Sequence, residues 1–183
     1  MRRRLTRRQT QLVAGVGVAV AVIVALLATG LGRDPSVIAS PLVGRTAPNF
    51  TLPRLDGPPV TLSKLRGQVV VINFWASWCV ECKVEQAALD QTWQQFQDSG
   101  VVLLGVNFED ETAAARGYVR TADVTYPVVE DTDSSTALAY GLRGVPETFI
   151  VNRSGRIVNR IIGPVDATAL TSEINSTLNA SPR

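Results

Sequence analysis

Twenty consecutive residues without a charge, Leu12 to Leu31 (LVAGVGVAVAVIVALLATGL), follow an eleven-residue tail that carries five arginines and no acid. At ~1.5 Å per helical residue, such a run is long enough to cross a hydrocarbon core of ~30 Å. A buried core helix is the competing reading, but an uninterrupted apolar stretch abutting a stack of arginines suits a soluble core poorly. Beyond the run Arg33 and Asp34 cancel, so the positive charge lies on the N-terminal side alone. That asymmetry predicts a cytoplasmic basic tail over 1–11, a transmembrane signal anchor over 12–31, and a single-pass protein whose remaining chain is extracytoplasmic at the cell membrane. Cleavage is the rival. Ala28-Thr29-Gly30 is the best small-x-small site, Ser40 is followed by Pro41, and Arg7-Arg8 leads into a poor twin-arginine signal, Gln9-Thr10-Gln11. An uncleaved anchor is the favoured reading.

Charge divides along the same line. The 18 basic residues outnumber the 16 acidic ones, but removing the five tail arginines leaves 13 against 16, a net of −3. The outer part therefore offers no basic face for nucleic acid. The chain has no histidine. Imidazole ligation of haem, histidine general bases and most zinc sites are thereby excluded.

Residues 32–44 (GRDPSVIASPLVG) mix glycine, proline and serine, as a linker would. From Arg45 to about residue 180 the texture is that of one compact domain. APNFTLPRLDGPPVTLSKL predicts two short extended pieces around the turn Asp56-Gly57-Pro58-Pro59, an N-terminal β extension. QVVVINFW (Gln68 to Trp75) reads as a strand buried on both faces. Val80 to Gln97 has helical spacing, with Val84, Ala88, Leu89, Trp93 and Phe96 turned inward and Gly100 as the stop. VVLLGVNF (Val101 to Phe108) is a second buried strand. Helix is predicted over Glu111 to Arg120, a short strand over Tyr126 to Val129, and a short helix over Ser134 to Tyr140. ETFIV (Glu147 to Val151) and RIVNRII (Arg156 to Ile162) form a hairpin, and a last helix runs from its N-cap Asp166 to about Leu178. The sum is an α/β domain with a mixed central sheet flanked by helices.

The two cysteines, Cys79 and Cys82, lie three positions apart, after the first buried strand and at the start of the first helix. A structural staple closing so short a loop gains little. Metal sites want about four protein ligands, and two thiols without imidazole do not complete a set. Covalent haem attachment needs a histidine after the second cysteine, where Lys83 stands. Redox chemistry remains. At the helix start, free backbone N–H groups and the positive dipole end favour a Cys79 thiolate, which would attack a partner disulfide. Cys82, one turn deeper, would resolve the mixed disulfide. Glu81, between them, disfavours the thiolate and so tilts the pair toward the reducing side. No organic or metal cofactor is implied.

INFWASWC leading into Cys-x-x-Cys, the PNFTL segment, GVNFED (Gly105 to Asp110) and GVPETFIV (Gly144 to Val151) together resemble the thioredoxin superfamily. The closer resemblance is to its membrane-tethered TlpA/ResA/CcmG (DsbE) branch, over about Pro48 to Leu178. It implies a thioredoxin-like fold, a redox-active Cys79–Cys82 disulfide, and reduction of disulfide-containing protein substrates outside the cytoplasm, typically the cysteines of apocytochrome c during cytochrome c maturation. It further implies a transmembrane electron donor of CcdA/DsbD type. Pro146 matches the family's cis-proline, which places the backbone of Val145 beside the thiols for a substrate strand to pair with. Trp78 would offer that substrate an apolar platform, while Trp75 belongs to the core. Asn73 occupies the position where ordinary thioredoxins keep a buried aspartate. Glu85 matches the branch's glutamate three residues after the second cysteine, and would relay the proton of Cys82; a solvated helix acid is the plain alternative.

Two rivals stay open on sequence alone. An oxidase that introduces disulfides into exported proteins would carry the same residues and differ in potential. A non-catalytic, membrane-tethered binding module for an assembly complex would keep the surface around Trp78 and survive loss of Cys79.

Overall fold

A computed structural model describes residues 8, 11, 15–22 and 41–180, and the chain divides into two units, 1–38 and 39–183. In the first unit, residues 15–22 are helical. No helix among the described residues is long and apolar enough to cross a membrane. Most of the proposed anchor over 12–31, nearly all of the tail over 1–11 and the larger part of the 32–44 linker lie outside the described residues.

The second unit is built on β3 (Val69–Trp75), whose seven residues are all buried. Its alternation divides the interior in two. Val69, Val71 and Trp75 join a cluster with Leu103 of β4 (Val101–Phe108), with Leu89 and Phe96 of α1 (Val80–Phe96), and with Leu170 and Ile174 of α4 (Ala167–Asn179). Val70, Ile72 and Phe74 point the other way, into a cluster with Phe50, Leu62, Leu104, Tyr140 and Phe149. Period-two alternation in a fully buried strand requires a covering layer on each face, which is why β3 reads as apolar on both faces apart from Asn73.

The sheet is five-stranded and mixed, in the order β5-β4-β3-β6-β7. β4 lies parallel to β3, and β5 (Val128–Asp131) parallel to β4. β6 (Glu147–Val151) runs antiparallel to β3, and β7 (Ile157–Ile162) antiparallel to β6. The β extension is a two-stranded ladder, β1 (Thr51–Leu52) with β2 (Val60–Thr61), followed by a 3-10 turn over Leu62–Leu65. It docks on the edge of the sheet through the Arg54–Val129 bridge. Helices α2 (Thr112–Thr121) and α3 (Ser135–Ala139) flank β5 in sequence.

Three expectations are corrected. The buried stripe of α1 is Cys82, Glu85, Gln86, Leu89, Thr92 and Phe96, and Val84 is 72% exposed rather than inward. Once Cys82 faces the core, helical spacing fixes the positions three, four and seven residues on, so two polar residues enter the interior ahead of valine. The strand expected over Tyr126 to Val129 begins at Val128. Pro127 has no N–H to give the ladder and only accepts, from the Gly105 N–H at 3.0 Å. The helix expected over Ser134 to Tyr140 spans only Ser135–Ala139, because Ser134, at φ +60, stands outside it and makes no capping bond. The Asp131 carboxylate caps it instead, accepting from the Thr136 N–H at 3.1 Å and the Ala137 N–H at 2.7 Å. Asp166 does cap α4, accepting from the Ala169 N–H at 2.9 Å.

Candidate active site

The carboxyl end of β3 delivers Ala76-Ser77-Trp78 and then Cys79, the N-cap residue of α1. Cys79 and Cys82 are joined as a disulfide, and the Cys79 Sγ accepts the Cys82 N–H at 3.0 Å. The sulfur thus takes the role that an oxygen plays in an ordinary N-cap, and the otherwise unpaired N–H groups of the first turn face it. Both cysteines are 3% exposed, so Cys82 is no deeper than Cys79 in this oxidised form.

Glu85 sits one turn beyond Cys82 on the same face and is 1% exposed. This is not a solvated helix acid. Each carboxylate oxygen is held: Oε1 accepts from the Asn73 Nδ2 at 2.8 Å and Oε2 from the Val165 N–H at 2.8 Å. Burial pushes the Glu85 carboxyl up to about 7, against the opposing pull of the Val165 and Asn73 hydrogen bonds. Asn73 owes its place to the alternation of β3, which turns residue 73 to the same side as Val71 and Trp75. Its Nδ2 also donates to the Thr148 Oγ1 at 3.1 Å, across the β3–β6 ladder.

The loop before Cys79 is lashed to the loop after β4 by one carboxylate. Asp110 accepts from the Ser77 N–H at 2.6 Å, the Ser77 hydroxyl at 2.8 Å, the Asn107 Nδ2 at 2.9 Å and the Glu111 N–H at 2.9 Å. Partial burial pushes its carboxyl up, but the hydrogen bonds from Asn107, Ser77 and Glu111 outweigh that and hold it below the usual range. Trp78 donates its Nε1–H to the Glu109 carbonyl at 2.9 Å, yet its ring remains 57% exposed. Trp75 is buried in the core.

The other wall comes from the segment before β6. The Val145–Pro146 bond is cis, Pro146 is buried, and Val145 packs half-buried against the cluster that contains both cysteines. The ladder pairs Phe74 with Glu147, so the same register carried one step further brings Pro146 level with Trp75. Among the described residues the Val145 N–H and C=O make no hydrogen bond. Glu147, buried next to Pro146, pairs with the Arg160 Nη2 at 2.5 Å and accepts from the Arg143 N–H at 2.9 Å. These contacts fix both sides of the 143–146 turn.

Asn73 drew notice only by position, and Val165, Asp110 and the Glu147–Arg160 pair were not anticipated. Their partners are 80, 33 and 13 residues away in sequence, where periodicity carries no signal. Asp110 alone left a trace, as an acid directly beyond a buried strand that ends beside the cysteine loop. Among the described residues no group of His, Cys, Asp and Glu could hold a metal ion.

A cysteine pair capping the helix that leaves the central strand of this sheet defines a thiol:disulfide oxidoreductase of thioredoxin-like fold. Comparison with known proteins agrees. Residues 43–160 match the AhpC/TSA family, and the chain belongs to it. The thiol:disulfide interchange protein DsbE of Allochromatium vinosum is 40% identical over 153 residues, covering 82% of this chain and 83% of the relative. The thiol-disulfide oxidoreductase ResA of Bacillus subtilis is 33% identical over 132 residues, covering 72% and 74%. A solved structure of a DsbE-type thiol:disulfide interchange protein from Chlorobium tepidum aligns at TM-score 0.69 and 29% identity, over 73% of this chain and 96% of that one.

Proposed function

We propose that the chain is a membrane-anchored, extracytoplasmic dithiol reductase that returns apocytochrome c cysteines to the thiol form during cytochrome c maturation. The observation that carries the reading is the buried Glu85, held by Asn73 and Val165 one turn from Cys82 with its carboxyl near neutrality. A carboxylate so placed serves the thiol that must lose a proton inside the protein.

In the reduced protein the Cys79 thiolate is stabilised by the Cys82 N–H and the start of α1. It attacks one sulfur of the substrate disulfide. That S–S bond breaks, the second substrate sulfur departs and takes up a proton, and Cys79 is left in a mixed disulfide. Cys82 then gives its proton to Glu85 and attacks the Cys79 Sγ. The Cys79–Cys82 bond forms, the bond from Cys79 to the substrate breaks, and the expelled sulfur takes up the proton that Glu85 accepted, so the substrate leaves with both thiols. Two electrons have passed from protein to substrate, and a transmembrane donor of CcdA/DsbD type restores the dithiol. The unpaired Val145 backbone beside Pro146 receives the substrate strand, and the exposed Trp78 ring covers its other side.

Mixing the reduced full-length chain with an oxidised Cys-x-x-Cys-His peptide should yield peptide dithiol and protein disulfide in equal amounts. Reduction of simple disulfides with no effect on that peptide would defeat the cytochrome assignment. The anchor has its own test: the uncleaved chain should stay with membranes in carbonate, and release into the supernatant would remove it.

A further inference from the structure

Beside Trp78 lies a cavity of ≈ 340 Å³ lined by five carboxylates, those of Glu109, Asp110, Glu111, Glu130 and Asp131, and by no lysine or arginine. Two of the five are engaged within the fold, Asp110 by the Ser77 loop and Asp131 as the cap of α3. Glu109 and Glu111 are exposed, and neither side chain has a partner among the described residues. Glu130 is the telling one. It is 8% exposed, stands on β5 opposite Asn107 of β4, and its carboxylate makes no hydrogen bond or ion pair among the described residues while lining the cavity. Its carboxylate has no partner among the described residues, and four like charges share the cavity with it. A cation entering the cavity would offset that concentration of negative charge.

We propose that this cavity receives an arginine or lysine side chain of the substrate protein, close to the cysteine under attack. The inference rests on the reductase reading above and names the substrate that reading favours. A bare metal ion fits less well, because no three acidic side chains converge as ligands among the described residues. Trp78 supplies what a side chain needs and an ion does not: a half-open indole face on which a guanidinium can stack while its N–H groups bond Glu130. Because Trp78 directly precedes Cys79, a side chain held there belongs to the residues flanking the substrate disulfide.

The test uses the reduced full-length chain and two peptides with the same internal disulfide, one with arginine beside a cysteine and one with neutral, isosteric citrulline. Rates of peptide reduction are compared as a ratio within each protein, so a general loss of activity cancels. At low ionic strength the arginine peptide should react about fivefold faster or more, and high salt should shrink the ratio toward about one. The exposed-site variant Glu109→Gln should lower the ratio, and the triple variant Glu109→Gln, Glu111→Gln, Glu130→Gln should bring it to about one. Equal rates for the two peptides in the unmodified chain would overturn the inference alone. So would a ratio that survives the triple substitution. Failure to reduce either peptide or hydroxyethyl disulfide would overturn the reductase reading, and this inference with it.

Discussion

Cys82→Ser should accumulate mixed disulfides with partner proteins through Cys79, whereas Cys79→Ser should accumulate almost none and lose turnover altogether. The asymmetry follows from the cap. Only the Cys79 Sγ receives the Cys82 N–H at the start of α1, and the helix terminus favours negative charge there. Cys82 belongs to the buried stripe one turn before Glu85, where a thiolate is costly unless its proton has somewhere to go. Non-reducing gels after alkylation read the outcome directly. Equal trapping by the two variants would show that the attacking and resolving roles are misassigned, and turnover that survives Cys79→Ser would favour the non-catalytic binding module.

Glu85→Gln should slow release from the mixed disulfide and remove the pH dependence of that step near neutrality, because the replacement keeps the shape but cannot accept a proton. The same substitution has a signature in stability, best measured on the oxidised chain, whose cysteines do not titrate. The carboxyl stands at 4.5 when unfolded and about 7 when folded. Across that window the unfolded chain has released the proton and the folded chain still holds it, so stability falls as pH rises from about 4.5 to about 7. Multiplying the shift by ~1.4 kcal/mol per unit gives a loss on the order of 3 kcal/mol, complete above pH 7. In Glu85→Gln this component should vanish, and the difference between the two denaturation series at pH 5 and pH 8 measures it. A carboxylate that merely sits in solvent would show neither effect.

What the sequence disclosed was local or periodic. The buried run from Val69 to Trp75, apolar at six of its seven positions, the Cys-x-x-Cys at a strand-to-helix junction and Asp166 ahead of a helix each declare themselves within a few positions. What it concealed depends on residues distant in the chain. Val84 looked more suited to the interior than Glu85 because a hydrophobic pattern cannot see Asn73 and Val165 waiting to hold a carboxylate. Likewise Asp131 reads as the end of a strand and Asp110 as a loop acid until their N–H partners are in place. Buried polar groups are where local pattern fails, since their cost is settled by partners that only the fold supplies.

Under the proposed function the Cys79–Cys82 pair is a reductant. Its redox balance is legible in the site: the Cys82 N–H and the helix start favour the thiolate, while Glu81 in the first turn and buried Glu85 beneath it oppose that. Equilibrating the full-length chain in thiol–disulfide buffers and reading the oxidised fraction gives the reduction potential. We expect a value of about −200 to −270 mV, toward that of thioredoxin; a value near about −120 mV, where a strong disulfide-introducing oxidant lies, would contradict it.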